Sequence, residues 1–280
     1  MKNKKSNILS KLVVYSLLLL GVVVFIFPFI YMILTTFFTE AYQLPKPGEV
    51  LTVKPNLENY DRVWNEYKFY RYFLNSTLVA GVAMVGGLFL GAMTAYSFVR
   101  FEFPGKEILF RAFLFTMMIP LVLAIVPQFT VIQNLGLVNT YWGLWLIYIG
   151  GGVVGSTFFL RGFFETIPKD LEESVIIDGG GNWRIFWSIY LPLSKPALAT
   201  MAIFSFQGTW DEYFVALTII KDEALRTLPI QLMMFQGQHA SNWALVFAAS
   251  LIAILPVVII YIIFQKRFVQ SGGSDGAIKG

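Results

Sequence analysis

Apolar residues fall into six long runs along this chain, divided by stretches that carry nearly all of its charge. A bilayer's hydrocarbon core is about 30 Å thick, so a spanning α-helix needs about 20 predominantly apolar residues. On that measure the pattern predicts six transmembrane helices, at about 12–38, 74–99, 112–134, 141–164, 195–220 and 243–264. Residues 1–11 are polar and basic, as the start of a secretory signal is. A signal's apolar region is only about 7–15 residues. The run from Leu12 to Phe38 is nearly twice that, so an uncleaved first transmembrane helix is expected. Pro120 and Pro127 sit inside the third run, where they predict kinks and freed carbonyls, and Pro256 sits inside the sixth. Gly87 and Gly91 make a small-xxx-small pair suited to close helix contact, or are merely tolerated in lipid. Gly150, Gly151, Gly152 and Gly155 give the fourth helix a thin face. The predicted class is an all-α membrane protein without internal repeats.

Composition agrees. Of 280 residues, 56% are hydrophobic and 14% charged, against about 25% charged in an ordinary soluble domain. The mean hydropathy is +0.65. There is no Cys and one His, which excludes disulfides, thiolate metal sites and histidine-rich centres, so no metal site is expected. His239 reads as a polar residue of an outer loop. The net charge of +4 does not imply nucleic acid; what matters is where Lys and Arg lie. Six spans put both termini on one side, and fourteen Lys and Arg fall there, Lys2, Lys4, Lys5, Lys266, Arg267 and Lys279 among them, against seven on the other. The termini are therefore expected in the cytoplasm. Between the first two spans, residues 39–73 balance five basic against five acidic residues, and Asn56–Tyr60 looks like a helix start.

The longest C-terminal stretch that is not plainly membrane-soluble is PKDLEESVIIDGGGNWRIFWSIYLPLSKP, from Pro168 to Pro196. It reads as two short helices joined by a tight turn. Pro168 suits a first helical position, and Asp170, Glu172 and Glu173 suit the positive end of a helix dipole. Gly179 falls where a helix end takes a left-handed residue. A second helix is expected from Asn182, stopped by Pro192. The anchors Glu173-Ser174-Val175, three residues, Gly179, nine residues, Ile189, one residue, Leu191-Pro192 resemble the cytoplasmic coupling loop of ABC importer permeases, Glu-Ala-Ala-x3-Gly-x9-Ile-x-Leu-Pro. Ser174 and Val175 replace the two alanines, and both are modest in size. The resemblance implies an ATPase-coupling role for Glu172, Glu173, Asp178, Gly179, Ile189, Leu191 and Pro192.

Other chemistry is sparse. No Walker A motif occurs: Gly105-Lys106 lacks the upstream glycine and is followed by Glu107, so energy must come from a partner. Glu172, Glu173 and Asp178 look like surface carboxylates; a short helix presenting Glu173 and an apolar edge to a groove on another protein fits them better than acid–base work. Charge inside the spans is confined to Gln207-Gly208-Thr209-Trp210-Asp211-Glu212-Tyr213. A charge at a span's centre costs about 2.5–3.5 kcal/mol on insertion scales, so such residues face a cavity or a partner. The segment resembles the Trp-Asn-Glu/Asp-aromatic pattern of carbohydrate permeases, with Asp211 in place of Asn. Gln207, Trp210, Asp211 and Glu212 are candidates for the translocation path; a helix–helix pair or an interfacial anchor is the alternative.

Residues 70–264 thus resemble the transmembrane domain of a type I ABC importer. The extra first helix, Asn56–Tyr60, Arg226-Thr227-Leu228-Pro229 and Arg267-Phe268-Val269 resemble the smaller subunit of maltose-type sugar permeases. The expected layout is a cytoplasmic N-terminus at 1–11, a first helix at 12–38, an extracytoplasmic loop at 39–69, a core at 70–265 with the coupling loop at 165–194, and a cytoplasmic tail at 266–280, flexible beyond its basic start. The resemblance implies a second permease subunit in a heterodimer, two ATPase subunits that bind ATP and Mg, and an extracytoplasmic sugar-binding protein. It implies no cofactor on this chain, no nucleic acid, and no catalytic residue of its own. A channel or ion-coupled carrier is the rival, although such carriers place ionisable groups near the midplane and show repeats. A membrane-embedded enzyme lacks support in His, Cys or a serine elbow. Polyols and glycerol phosphates remain open as substrates.

Overall fold

The computed structural model describes the backbone of residues 2–239 and 242–273, with side chains from residue 11 to residue 263 over the same segments. The sequence readings on Lys2, Lys4, Lys5, Lys266, Arg267, Phe268, Val269, Lys279 and the end of the tail therefore fall outside the described side chains. Among the described residues every regular element is a helix. In order they are α1 (Lys2–Thr35), α2 (Pro47–Val50), α3 (Glu58–Asp61), α4 (Phe69–Arg100), α5 (Lys106–Met117), α6 (Leu121–Asn134), α7 (Tyr141–Phe164), α8 (Asp170–Ile177), α9 (Asn182–Ile185), α10 (Leu191–Leu193), α11 (Lys195–Trp210), α12 (Phe214–Ile219), α13 (Leu228–His239) and α14 (Trp243–Gly273).

Four helices are long and apolar enough to cross a membrane: α1 over Lys11–Thr35, α4, α7, and α14 over Trp243–Ile263. Two bent pairs reach the same length and apolarity only when each pair is counted as one span. The expected third helix is not one rod: α5 and α6 meet at 107°. Pro120 is the reason. It ends no continuous ladder but takes the cap position of α6 with extended ψ of 132°, so the chain turns there instead of kinking. Pro127 does remain inside α6. The second pair joins the Asn182–Leu193 segment to α11 at 78°. Pro192 does not stop that segment as expected. It occupies the start of α10, straight after a π-helical turn at Phe186–Tyr190, and the break comes at Ser194. The wider turn accommodates a ring that an α-helical carbonyl ladder would clash with.

Two other boundaries differ from the hydropathy reading. The fifth span ends as an α-helix at Trp210, ten residues before Ile220, and the chain re-enters helix at Phe214. The stretch 221–242, read as polar loop, contains the 12-residue helix α13, with Pro229 in its first turn. The sixth helix continues past Phe264 to Gly273.

The chain forms two compact units. The first holds Met1–Phe69 and Leu232–Ile254. Its polar framework is built on short amides. Buried Asn59 donates to the Thr36 and Phe38 carbonyls at 2.9 and 2.6 Å, where α1 has ended and its last carbonyls need partners. Thr36 Oγ1 meets Tyr60 Oη at 2.9 Å. Asn242 Oδ1 accepts from the Ala41 and Leu245 amides, capping α14 and tying the first loop to it. Tyr67, Phe69, Phe235 and His239 pack edge to face, with Phe69 and Phe235 fully buried.

The second unit holds Tyr70–Gln231 and Leu255–Gly280. Its core is α4 against α7. Gly87 and Gly91 of α4 lie against Gly152 and Ser156 of α7, and Thr157 Oγ1 reaches the Gly91 carbonyl at 3.3 Å. The small-residue pair is therefore a helix contact. Of the other glycines on the thin face, Gly150, Gly151 and Gly155 face open space. At the α4 N-terminus, Asn75 donates to the Ala224 and Arg226 carbonyls, and Ser76 Oγ accepts from the Leu228 amide. Asn139, at φ 61°, turns its Oδ1 to the Lys221 and Asp222 amides at 2.9 and 2.8 Å. An amide side chain tolerates that left-handed conformation and gains two bonds in it.

Candidate functional site: the loop between α7 and α11

The first loop helix, α8, begins two residues later than expected. Pro168 precedes its cap, Lys169, and its carbonyl accepts the Leu171 amide. Asp170, Glu172 and Glu173 occupy the first turn, the favourable end of the dipole for anions. The helix closes in a Schellman pattern: Gly179 N–H bonds the Ile176 carbonyl at 2.9 Å and Gly180 N–H bonds the Val175 carbonyl at 2.8 Å. Gly179 has φ 73°, the left-handed region that glycine enters without strain. Gly180 is constrained differently. A Cβ there would lie 2.5 Å from Val175 Cγ1 and 2.9 Å from the Val175 carbonyl oxygen. The sequence pattern contains only the first of these two glycines.

The seven coupling candidates divide between two faces. Glu173, Asp178, Gly179 and Pro192 are exposed. Ile189 and Leu191 pack against a buried cluster of Ala92, Ala95, Tyr96, Leu160, Phe164 and Tyr190, which fastens the loop to α4 and α7. Glu172 was expected on the surface with Glu173, but it is turned inward and only 3% exposed. Consecutive residues on a helix point about 100° apart, so adjacent carboxylates take different surroundings. Tyr190 Oη donates to Glu172 Oε1 at 2.6 Å, and Arg100, the last residue of α4, forms an ion pair with Oε2. The Arg100 Nε–H makes no well-directed hydrogen bond, so the attraction is one of charge. Burial together with the Glu172 carboxylate holds the Tyr190 phenol well above its ordinary pKa, so it remains a donor.

Sequence reasoning missed the partner pair Arg100 and Tyr190, neither of which belongs to the loop's spaced anchors. The apolar edge expected beside Glu173 has definite members in the structure: Ile177 is 84% exposed, and Ile176, Trp183 and Trp187 are exposed as well. Large apolar groups on a polar loop mark a surface for another protein.

The second group of candidates lies where α11 ends. Gln207 and Asp211 are exposed, and the Asp211 amide donates to the Gln207 carbonyl at 3.0 Å. Trp210 does not share that exposed face: it is 3% exposed, stacked on Phe206 at 5.6 Å and edge-on to Phe73 at 5.4 Å. Glu212 faces inward too. Its carboxylate accepts from the Val215 and Ala216 amides at 2.8 and 3.0 Å and from Tyr148 Oη at 2.6 Å. A carboxylate so placed caps α12 and joins it to α7. Among the described residues no group of three His, Cys, Asp or Glu is arranged to hold a metal ion.

Comparison with known proteins places this architecture. The profile described as "Binding-protein-dependent transport system inner membrane component" matches residues 87–271. The chain is 35% identical over 259 residues to the diacetylchitobiose uptake system permease protein NgcG of Streptomyces coelicolor, covering 92% of this chain and 85% of that one. It is 33% identical over 279 residues to the trehalose/maltose transport system permease protein MalG of Thermococcus litoralis, covering 99% of each. It is 30% identical to the maltodextrin transport system permease protein MdxG of Bacillus subtilis over the full length of both. Its fold is similar to a chain of the crystal structure of a bacterial ABC transporter involved in the import of the acidic polysaccharide alginate, with a TM-score of 0.78 at 24% identity, covering 93% of this chain and 97% of that one. A multi-pass helical chain with this loop and these relatives belongs to the binding-protein-dependent transport system inner membrane components, the permeases of ABC importers.

Proposed function

We propose that this chain is the smaller of two different permease subunits in an ATP-driven importer that moves a sugar or oligosaccharide into the cell by alternating access. The observation that carries this reading is the loop. It offers an exposed acid, Glu173, and the bare apolar side chains of Ile176 and Ile177 on one helix, closed by Gly179 and seated on α4 and α7. Such a helix fits a groove on a partner. The partners are two ATPase subunits that bind ATP and Mg, and an extracytoplasmic binding protein delivers the sugar. Relatives named for trehalose/maltose, maltodextrin and diacetylchitobiose support a carbohydrate as cargo. The chain sits in the cytoplasmic membrane of a bacterium or archaeon, with both termini inside. Shifting a two-state pore from 1:99 to 99:1 takes about 5.5 kcal/mol, and the loop is where that energy enters.

Gln207 and Asp211 are the path residues this reading retains, because both are exposed and offer donors and acceptors for hydroxyl groups. Trp210 and Glu212 support the helix ends around them. The test is to express the chain from its native operon in membranes and purify it by a tag. ATPase and second-permease subunits should come with it, and maltose, trehalose or chitobiose loaded on the cognate binding protein should stimulate hydrolysis. A chain that purifies alone and conducts or exchanges solute without ATP overturns the reading in favour of a channel or carrier.

A further inference from the structure

Glu172 lies beside the loop's outward face but points away from it. It is an acid almost without solvent, held from two directions by groups on different elements. Breaking such a buried pair leaves an uncompensated charge, which is why the arrangement resists being pulled apart. Tyr190 belongs to the loop's second helical segment. Its ring packs edge-on against Tyr96 of α4 at 4.8 Å and Phe164 of α7 at 5.1 Å. Tyr96 Oη also donates to the Asn182 carbonyl at 3.2 Å, at the start of that segment. Both loop helices are thus fixed to the end of α4 through Arg100, Glu172, Tyr190 and Tyr96. By contrast, Glu173, one residue on, has no such partner among the described residues and lies exposed, open to another protein.

We infer that Arg100 is a positioning residue for coupling: with Glu172 and Tyr190 it locks the loop to the end of α4, so that a force applied to the loop moves α4 with it. The inference rests on the proposed ATPase-docking role of the loop, and it assigns to residues outside the outward face the task of passing that motion on. Arg100 suits the task by position as well as by charge. It closes a helix of 32 residues whose middle is packed on α7 through Gly87 and Gly91, so a displacement at its end reaches the membrane interior along a stiff rod. The guanidinium also favours the negative C-terminal end of that helix.

The experiment uses the assembled importer in lipid nanodiscs, with spin labels at Lys169→Cys, the N-cap of α8 on the loop, and Val85→Cys on α4, both exposed and neither assigned to docking. ATP and vanadate provide the trapped state. With the lock intact, the distance between the labels should stay narrow and unchanged between the ATP-free and trapped states. In Arg100→Ala the distribution should broaden at least twofold on trapping, while ATPase content and hydrolysis rate stay within twofold of the native complex. Arg100→Lys, which keeps the charge, should restore most of the narrow distribution. Tyr190→Phe, which keeps the ring, should give an intermediate result. A native-like distribution in Arg100→Ala overturns the inference, as does equal broadening in Arg100→Lys. Loss of the ATPase subunits from Arg100→Ala also counts against it, since the residue would then act in docking. A native complex that carries no ATPase at all would instead refute the proposed function.

Discussion

Gly87 and Gly152 face each other across α4 and α7 so closely that a Cβ on Gly87 would lie 3.1 Å from the Gly152 Cα. One turn along, a Cβ on Gly91 would run into Ser156 and come within 3.1 Å of the Val153 carbonyl. Backbone is opposed to backbone here, so no side chain can swing aside. In lipid, where helices gain little from hydrophobicity, such close approach is a main source of attraction. Gly91→Val should lower the thermal midpoint of the detergent-solubilised complex, with overpacking costing about 1–3 kcal/mol. Gly155→Ala, which meets open space within the chain, should leave the midpoint nearly unchanged. Equal loss in both would remove the packing argument.

Adjacent glycines in the loop should respond to different substitutions. At Gly179 the constraint is conformational, and a Cβ in the left-handed region costs about 1–2 kcal/mol. Gly179→Asn should keep more ATPase subunit on pull-down than Gly179→Val, because asparagine enters that region more readily. At Gly180 the constraint is space beside Val175, so even Gly180→Ala should fail, and Val175→Ala should partly rescue it.

Glu212 should behave as a helix cap. Glu212→Ala removes the acceptor for the Val215 and Ala216 amides, and losing a cap costs about 0.5–2 kcal/mol. Faster hydrogen exchange at these two amides, relative to Ile219, is the expected readout. Asp211→Asn should leave them protected, because the Asp211 side chain is not their acceptor.

His239 makes the end of α13 sensitive to pH. Burial, and then the nearby positive charge of Arg62, lower its pKa below the ordinary value, while Glu66 pulls weakly the other way. The lowered value means that the folded state favours neutral imidazole. The stability it contributes is therefore present above about pH 6.5, the unperturbed value, and is lost as pH falls through the lower folded value. Hydrogen exchange at Tyr67–Phe69 and at Phe235, corrected for its intrinsic rate, should quicken between pH 7.5 and pH 5. His239→Phe should abolish that dependence.

Orientation is checked by labelling. A cysteine at Gly48 should react with an impermeant maleimide added outside intact cells, and one at Gly181 should react only after the membrane is opened. The opposite pattern would put the loop outside and separate it from any ATPase.

Hydrophobic runs long enough to span a bilayer are a local property, so the six segments could be read from the chain directly, and α7 begins and ends at the expected residues. Gly179 was legible for a similar reason: a helix end that needs positive φ leaves a glycine at a fixed place in the sequence. Where the spans bend was not legible. Pro120 turns the chain by more than a right angle at one site, whereas Pro192 is absorbed by a wider helical turn at another, and neighbouring packing decides between the two. Nor did sequence separate Glu172 from Glu173, or Trp210 and Glu212 from Gln207 and Asp211. Adjacent residues on a helix differ only in the direction they face, and what they face is supplied by Arg100, Tyr190, Tyr148 and Phe73, all on other elements of the chain. Composition and spacing set the apolar spans and the glycine-closed loop between α7 and α11; long-range packing decided which of the loop's acids holds the structure together and which is left exposed.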